Sequence, residues 1–185
     1  MRGERELRRE AYLRKQRLEL ARLAERGVSM SGNAFSSLLL VKGSPSRDEL
    51  AGEPLLRGAD GDALRAAFVA LGYAPEDWVA LCAVDLGSGR PLDAPLLREA
   101  ICVLDPATVV AVDDAAASRL RDAYADELSG LADFDAAMLC EGVLVRVRGM
   151  RVMALGEFAS SLGDVRKKQV MWARLKRLPP LGEPY

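Results

Sequence analysis

Three short runs of almost unbroken apolar residues, 38–41, 78–84 and 108–112, most constrain what this chain can become. They are too short for core-covering helices, and they lack the alternation of a strand with one wet face. Runs of this kind suit strands buried on both faces. Between and after them lie segments of helical spacing. Residues 62–71 put Leu64, Phe68 and Leu71 on one face, residues 94–104 gather Leu97, Ile101 and Leu104, and residues 115–124 follow the third run. Residues 142–147 and 151–155 read as two further strands around a turn at Arg148-Gly149-Met150, while residues 126–137 read as acidic and irregular. A last helix, 164–178, ends at Pro179-Pro180. Strands alternating with helices of about ten residues predict a three-layer α/β fold around a central, mainly parallel sheet of four to five strands. Ligands of such folds bind beyond the carboxyl ends of the strands, here residues 42–47, 84–90, 113–114 and 155–158.

Ahead of this domain, residues 2–26 are rich in Arg, Glu, Leu and Ala, with Gly27 as a stop, and read as a helix. The chain therefore divides into an N-terminal helical arm, 1–28, and an α/β domain, 29–185. Packing of the arm on the domain is the expectation; projection as a dimerisation or nucleic-acid arm is the other reading. The N-terminus is charged, with no apolar stretch behind it, and no run approaches the roughly 20 residues that cross a bilayer. A cytoplasmic protein without membrane contact is expected.

The 185 residues include no histidine, which removes His-based acid–base chemistry, Ser-His-Asp triads and most catalytic zinc sites. Cys82, Cys102 and Cys140 are single and widely spaced, so neither a disulfide framework nor a metal clamp is expected, and no cofactor is implied. Cys82 and Cys102 lie in apolar runs, where a buried thiol is the ordinary explanation. The net charge of −1 conceals three blocks: +4 over 1–41, −11 over 42–141 and +6 over 142–185. The basic ends are read either as one nucleic-acid-binding face or as solvated helix surfaces. Arg146, Arg148, Arg151, Arg166, Lys167 and Lys168 are the candidate phosphate contacts.

Asp113-Asp114 closes the third strand and reads either as an acid–base or cation site or, with Asp114 ahead of an Ala-rich stretch, as a helix N-cap. Lys42 with Ser44 and Ser46 reads either as an anion-binding loop or as a plain turn. Trp78 and Trp172 are expected in the core.

The order of these segments resembles the uracil-DNA glycosylase superfamily, nearest its family 4, over residues 36–178. Residues 38–46, LLLVKGSPS, stand where that family has its water-activating loop. Gly52-Glu53-Pro54-Leu55, with Gly58, Gly61 and Leu64 after it, resembles a Gly-Arg-Pro-Phe stretch entering a helix. Residues 76–84 resemble the second strand and residues 106–115 the third. Residues 152–162, VMALGEFASSL, stand at the DNA-intercalating loop, and residues 167–178 at the terminal helix.

The resemblance implies a ligand pocket at Gly43, Ser44, Pro45, Ser46, Leu55, Cys82 and Gly156, with DNA as the partner. It also marks what is missing. Gly43 stands at the loop's acidic residue, Leu55 at the base-stacking aromatic, Cys82 at the uracil-reading asparagine and Gly156 at the histidine. The four cysteines of the family's iron–sulfur cluster have no counterpart. Cleavage needs the base extruded and held and the charge on the leaving uracil stabilised. A cysteine cannot make the bidentate amide pair, and a glycine offers only its backbone.

Three readings follow. The first is a degenerate glycosylase-like domain that binds nucleic acid or a nucleotide without uracil excision. The second is an excision enzyme with altered chemistry on Asp113, Glu157 or Glu49. The third is an interaction protein that forms a homodimer through its N-terminal helix.

Overall fold

The computed structural model describes residues 4–73 and 78–178. Six strands form one mixed sheet: β1 (Met30–Gly32), β2 (Leu38–Lys42), β3 (Val79–Cys82), β4 (Thr108–Ala111), β5 (Leu144–Val147) and β6 (Met150–Ala154). Their spatial order is β1-β3-β2-β4-β6-β5. The middle four run parallel, and β1 and β5 add antiparallel edges. The expected four to five strands are thus six. The strand that sequence patterning missed is β1, whose Met-Ser-Gly is too short and polar to signal.

The middle strands are buried along both faces, as their apolar runs require. Leu39, Val41, Leu81, Val109 and Ala111 point to one face; Leu38, Leu40, Ala80, Val110 and Val112 point to the other. The first face is covered by α1 (Glu4–Glu25), α4 (Ala94–Leu104), α5 (Asp114–Ala123), α6 (Ala125–Ser129) and α7 (Phe134–Ala137). The second carries α3 (Ala59–Ala70), α8 (Phe158–Ser161) and α9 (Val165–Leu175), and the short α2 (Arg47–Leu50) follows β2. The stretch 126–137, expected to be irregular, contains the turns α6 and α7. Residues 76–77 and Pro179-Pro180 lie outside the described residues.

The boundary at residue 28 does not separate two packing units. Leu23 is 1% exposed within the first core layer, Val28 is buried beside it, and Gln16 donates from Nε2 to the Ala34 carbonyl at 3.4 Å. The arm is therefore a helix whose second half packs against the domain. Because α1 and α9 cover opposite faces, the two basic ends do not join into one face. Of the cysteines, Cys82 is fully buried, but Cys102 is exposed, since α4 turns Ala100, Ile101 and Leu104 inward instead. Trp78 is core; Trp172 is only half-buried, with Lys176 Nζ 5.9 Å from its ring centre.

The glycine-rich stretch 52–64 has a steric meaning. Gly61, in the first turn of α3, lies so close to the preceding turn that a Cβ there would stand 1.6 Å from the Leu56 carbonyl oxygen. Leu64, three residues on, is fully buried. Gly61→Ala is expected to cost ~2 kcal/mol or more through backbone displacement, and chemical denaturation monitored by far-UV circular dichroism measures it. Leu23→Ala is expected to cost about 2–5 kcal/mol as a core truncation, by the same measurement.

Candidate functional site

A cleft of about 430 Å³ opens beyond the carboxyl ends of β2, β4 and β6. Its place follows from the connections. The chain leaves β2 through α2 and α3 on the second face, and leaves β4 through α5 on the first. Neighbouring strands whose loops depart to opposite faces leave a crevice between them. Leu56, Leu64, Val112, Phe158 and Leu162 supply apolar wall; Lys42, Ser44, Ser46, Asp48, Asp60, Asp113 and Glu157 supply its polar groups.

Asp113 ties the two loops together. Its Oδ1 accepts from Ala116 N at 2.7 Å and Gly43 N at 3.1 Å; its Oδ2 accepts from Gly43 N at 2.9 Å and Ser44 N at 3.0 Å. It is thus the N-cap of α5 and at once the anchor of the loop after β2. Three N–H groups thus engage both carboxylate oxygens, that of Gly43 shared between them. Gly43 makes this approach possible, since a Cβ would lie 2.3 Å from Ala116 N.

Glu49 does the same for the next stretch. With Ser46 it forms a capping box at α2: Ser46 N donates to its Oε2 at 2.6 Å, and Ser46 Oγ accepts from Glu49 N at 3.2 Å. Leu56 N donates to Oε1 at 2.8 Å, and Lys42 Nζ stands 3.0 Å from Oε1 and 2.9 Å from Oε2. Lys42 also donates to Asp60 Oδ2 at 2.7 Å. Burial opposes charge on Lys42, and the hydrogen bonds to Asp60 and Glu49 outweigh it, so its pKa is raised. Burial also opposes charge on Glu49; Lys42 and the amides of Ser46 and Leu56 outweigh it, and the carboxyl is held below its ordinary value.

The sequence-derived pocket is brought together only in part. Ser44 and Ser46 line the cleft, and Gly43 lies behind them against α5. Pro45 is not among its lining residues. Leu55 is buried in the second core layer, with its carbonyl accepting from Ser31 Oγ at 3.2 Å. Cys82 is enclosed in the same layer, where burial pushes its thiol up to about 11. Gly156, at φ 81°, sits beneath the ion pair of Glu141 and Arg174. Of the nominated catalytic residues, Asp113 and Glu49 have both carboxylate oxygens engaged by the protein's own donors. Glu157 is exposed at the rim, with Oε1 accepting from Asp114 N at 3.2 Å.

The nominated phosphate contacts separate as well. Arg146 and Arg151 face each other across β5 and β6, and Arg148, in the turn between those strands, pairs with Glu127 at 3.5 Å. Arg166, Lys167 and Lys168 lie exposed in the first turn of α9, a few residues beyond Leu162 at the cleft. Phe158 belongs to the strand-end edge 155–158 expected to meet a ligand; sequence reading missed Leu56 as a wall residue and the Lys42–Glu49–Asp60 cluster. The Ser46-x-x-Glu49 spacing was the available signal for Glu49.

No family model and no curated protein matches the sequence. Among the described residues, no cluster of His, Cys, Asp and Glu forms a metal site, and no helix is long and apolar enough to cross a membrane.

The Lys42–Glu49 pair gives stability a defined pH dependence. The Glu49 contribution is present above its unfolded pKa of about 4.3 and is lost as pH falls through the lower folded value. The Lys42 contribution is present below about 10.4 and is lost as pH rises through the higher folded value. Glu49→Gln is expected to cost about 3–5 kcal/mol at neutral pH and to flatten the acid limb. Urea denaturation from pH 3 to 8 checks both.

Proposed function

We propose that this chain is a glycosylase-like domain that takes a nucleobase into the cleft beyond β2, β4 and β6, and does not excise uracil. The cleft itself carries this reading: it stands at the strand ends where the resemblance sets the ligand, and its size falls within the 300–1,000 Å³ usual for small-molecule sites. Its walls are apolar, with Phe158 among them. Apart from Glu157 at the rim, the groups that would drive excision are absent or occupied. There is no histidine, Cys82 is shut in the core, and Asp113 and Glu49 are saturated by backbone amides and Lys42.

Phosphates of a strand would lie outside the cleft, on Arg166, Lys167 and Lys168 at its lip. Arg148 is engaged with Glu127 and belongs to the other end of β6. The charge supports this division: the cleft is lined by four carboxylates and one buried lysine, which disfavours phosphate inside it.

The homodimer reading also has an observation in its favour. Leu7 and Leu18 are 53% and 57% exposed on α1. Eleven residues apart, they fall within roughly 20° of one stripe. Sedimentation should then show a dimer that Leu7→Ser with Leu18→Ser converts to monomer; a monomeric parent chain retires the reading.

Fluorescence anisotropy with labelled single- and double-stranded DNA, titrated from low to physiological salt, tests the nucleic-acid reading. Binding is expected at low salt and should weaken as salt rises. Replacing Arg166, Lys167 and Lys168 by Gln should reduce the log–log salt slope on single strands by about 2, while Arg148→Gln leaves it unchanged. Uracil-containing DNA should show no base release above background. Absence of binding at every salt would leave only the fold resemblance.

A further inference from the structure

Resting on the nucleobase reading, we infer that the cleft selects a heterocycle presenting amino hydrogens, of cytosine or adenine type, over a diketo pyrimidine such as uracil. The apolar walls Leu56, Leu64, Val112, Phe158 and Leu162 suit a flat ring but not one ring edge over another. Polar groups decide the edge. Two carbonyls need donors from the site, and most of the backbone amides in the loops after β2 and β4 are already given to the protein's own acceptors.

The amides of Gly43 and Ser44 are given to Asp113, as is that of Ala116. Those of Ser46 and Leu56 are given to Glu49, and that of Asp114 to Glu157. Phe158 N donates to the Val112 carbonyl. The Lys42 ammonium is held between Glu49 and Asp60. An amide committed to a buried carboxylate is not free for a ligand, because withdrawing it strands the charge.

What the site offers instead is acceptors. Asp48 and Glu157 line the cleft and are exposed. Among the described residues, no hydrogen bond is formed by the Asp48 carboxylate or by Glu157 Oε2. Ionised carboxylates are acceptors only, so they pair with an exocyclic amino group, whereas the single N3–H donor of uracil or thymine is flanked by two carbonyls that a carboxylate repels. The Ser44 and Ser46 hydroxyls can turn to serve either edge.

Nucleosides without phosphate isolate this preference from the basic lip. The full chain, labelled with ¹⁵N, is titrated with cytidine, adenosine, uridine and thymidine, and the amide resonances of Ser44, Asp114 and Glu157 are followed. Cytidine and adenosine are expected to bind about tenfold tighter than uridine or thymidine. Asp48→Asn with Glu157→Gln, both exposed positions whose fold the same spectra report, should narrow the gap. Uridine binding as tightly as cytidine overturns the selectivity and leaves the nucleobase reading standing. An unchanged preference in the double variant overturns the assignment to these carboxylates. No shift with any nucleoside overturns the inference together with the reading beneath it.

Discussion

Two buried carboxylates hold the cleft end of this molecule in place, and their hydrogen bonds fix almost everything around them. Taking a carboxylate out of water costs several kcal/mol unless its acceptor directions are filled. Asp113 fills them with amides from both sides of the β2–β4 junction; Glu49 fills them with Ser46, Leu56 and Lys42. The loop from Lys42 to Leu56 is therefore built around charge rather than around a hydrophobic plug. That arrangement keeps a crevice open at the one point where the sheet's connections diverge.

The same bonds change what the crevice can do. Backbone amides at a strand end and a helix start are the usual donors for an anion or a developing negative charge. Here the protein's own carboxylates have taken them. At the positions where the resemblance sets a base-reading amide and a histidine, Cys82 is sealed in the core and Gly156 lies beneath the Arg174–Glu141 ion pair. Lys42 apart, no basic residue lines the cleft among the described residues, and those of α1 and α9 lie on opposite faces of the sheet.

Much of the scaffold was legible from local pattern. The helix at 94–104 has the bounds its apolar spacing predicts, because Asp93 caps it and Leu97, Ile101 and Leu104 share a stripe. The hairpin of β5 and β6 was legible from its Arg-Gly turn. Strand β1 was not, since three residues carry no period and the pairing with β3 alone makes them a strand. Cys102 was misread because an apolar run says nothing of which side of a helix a residue takes. A helix N-cap at the Asp113-Asp114 pair could be read from sequence, which set it at Asp114; that Asp113 is the cap and also reaches back to Gly43, seventy residues away, could not.

By itself, then, the sequence determined which segments are strands buried on both faces and which are amphipathic helices, and it excluded histidine chemistry outright. Those properties belong to residue type and near-neighbour spacing, which are local. Tertiary structure alone decided that Lys42, Glu49 and Asp60 meet, that Asp113 consumes the loop's donors, and that the two basic ends part company across the sheet. Each depends on strand order and on the face to which a connection departs, and neither is written in the periodicity of any one segment.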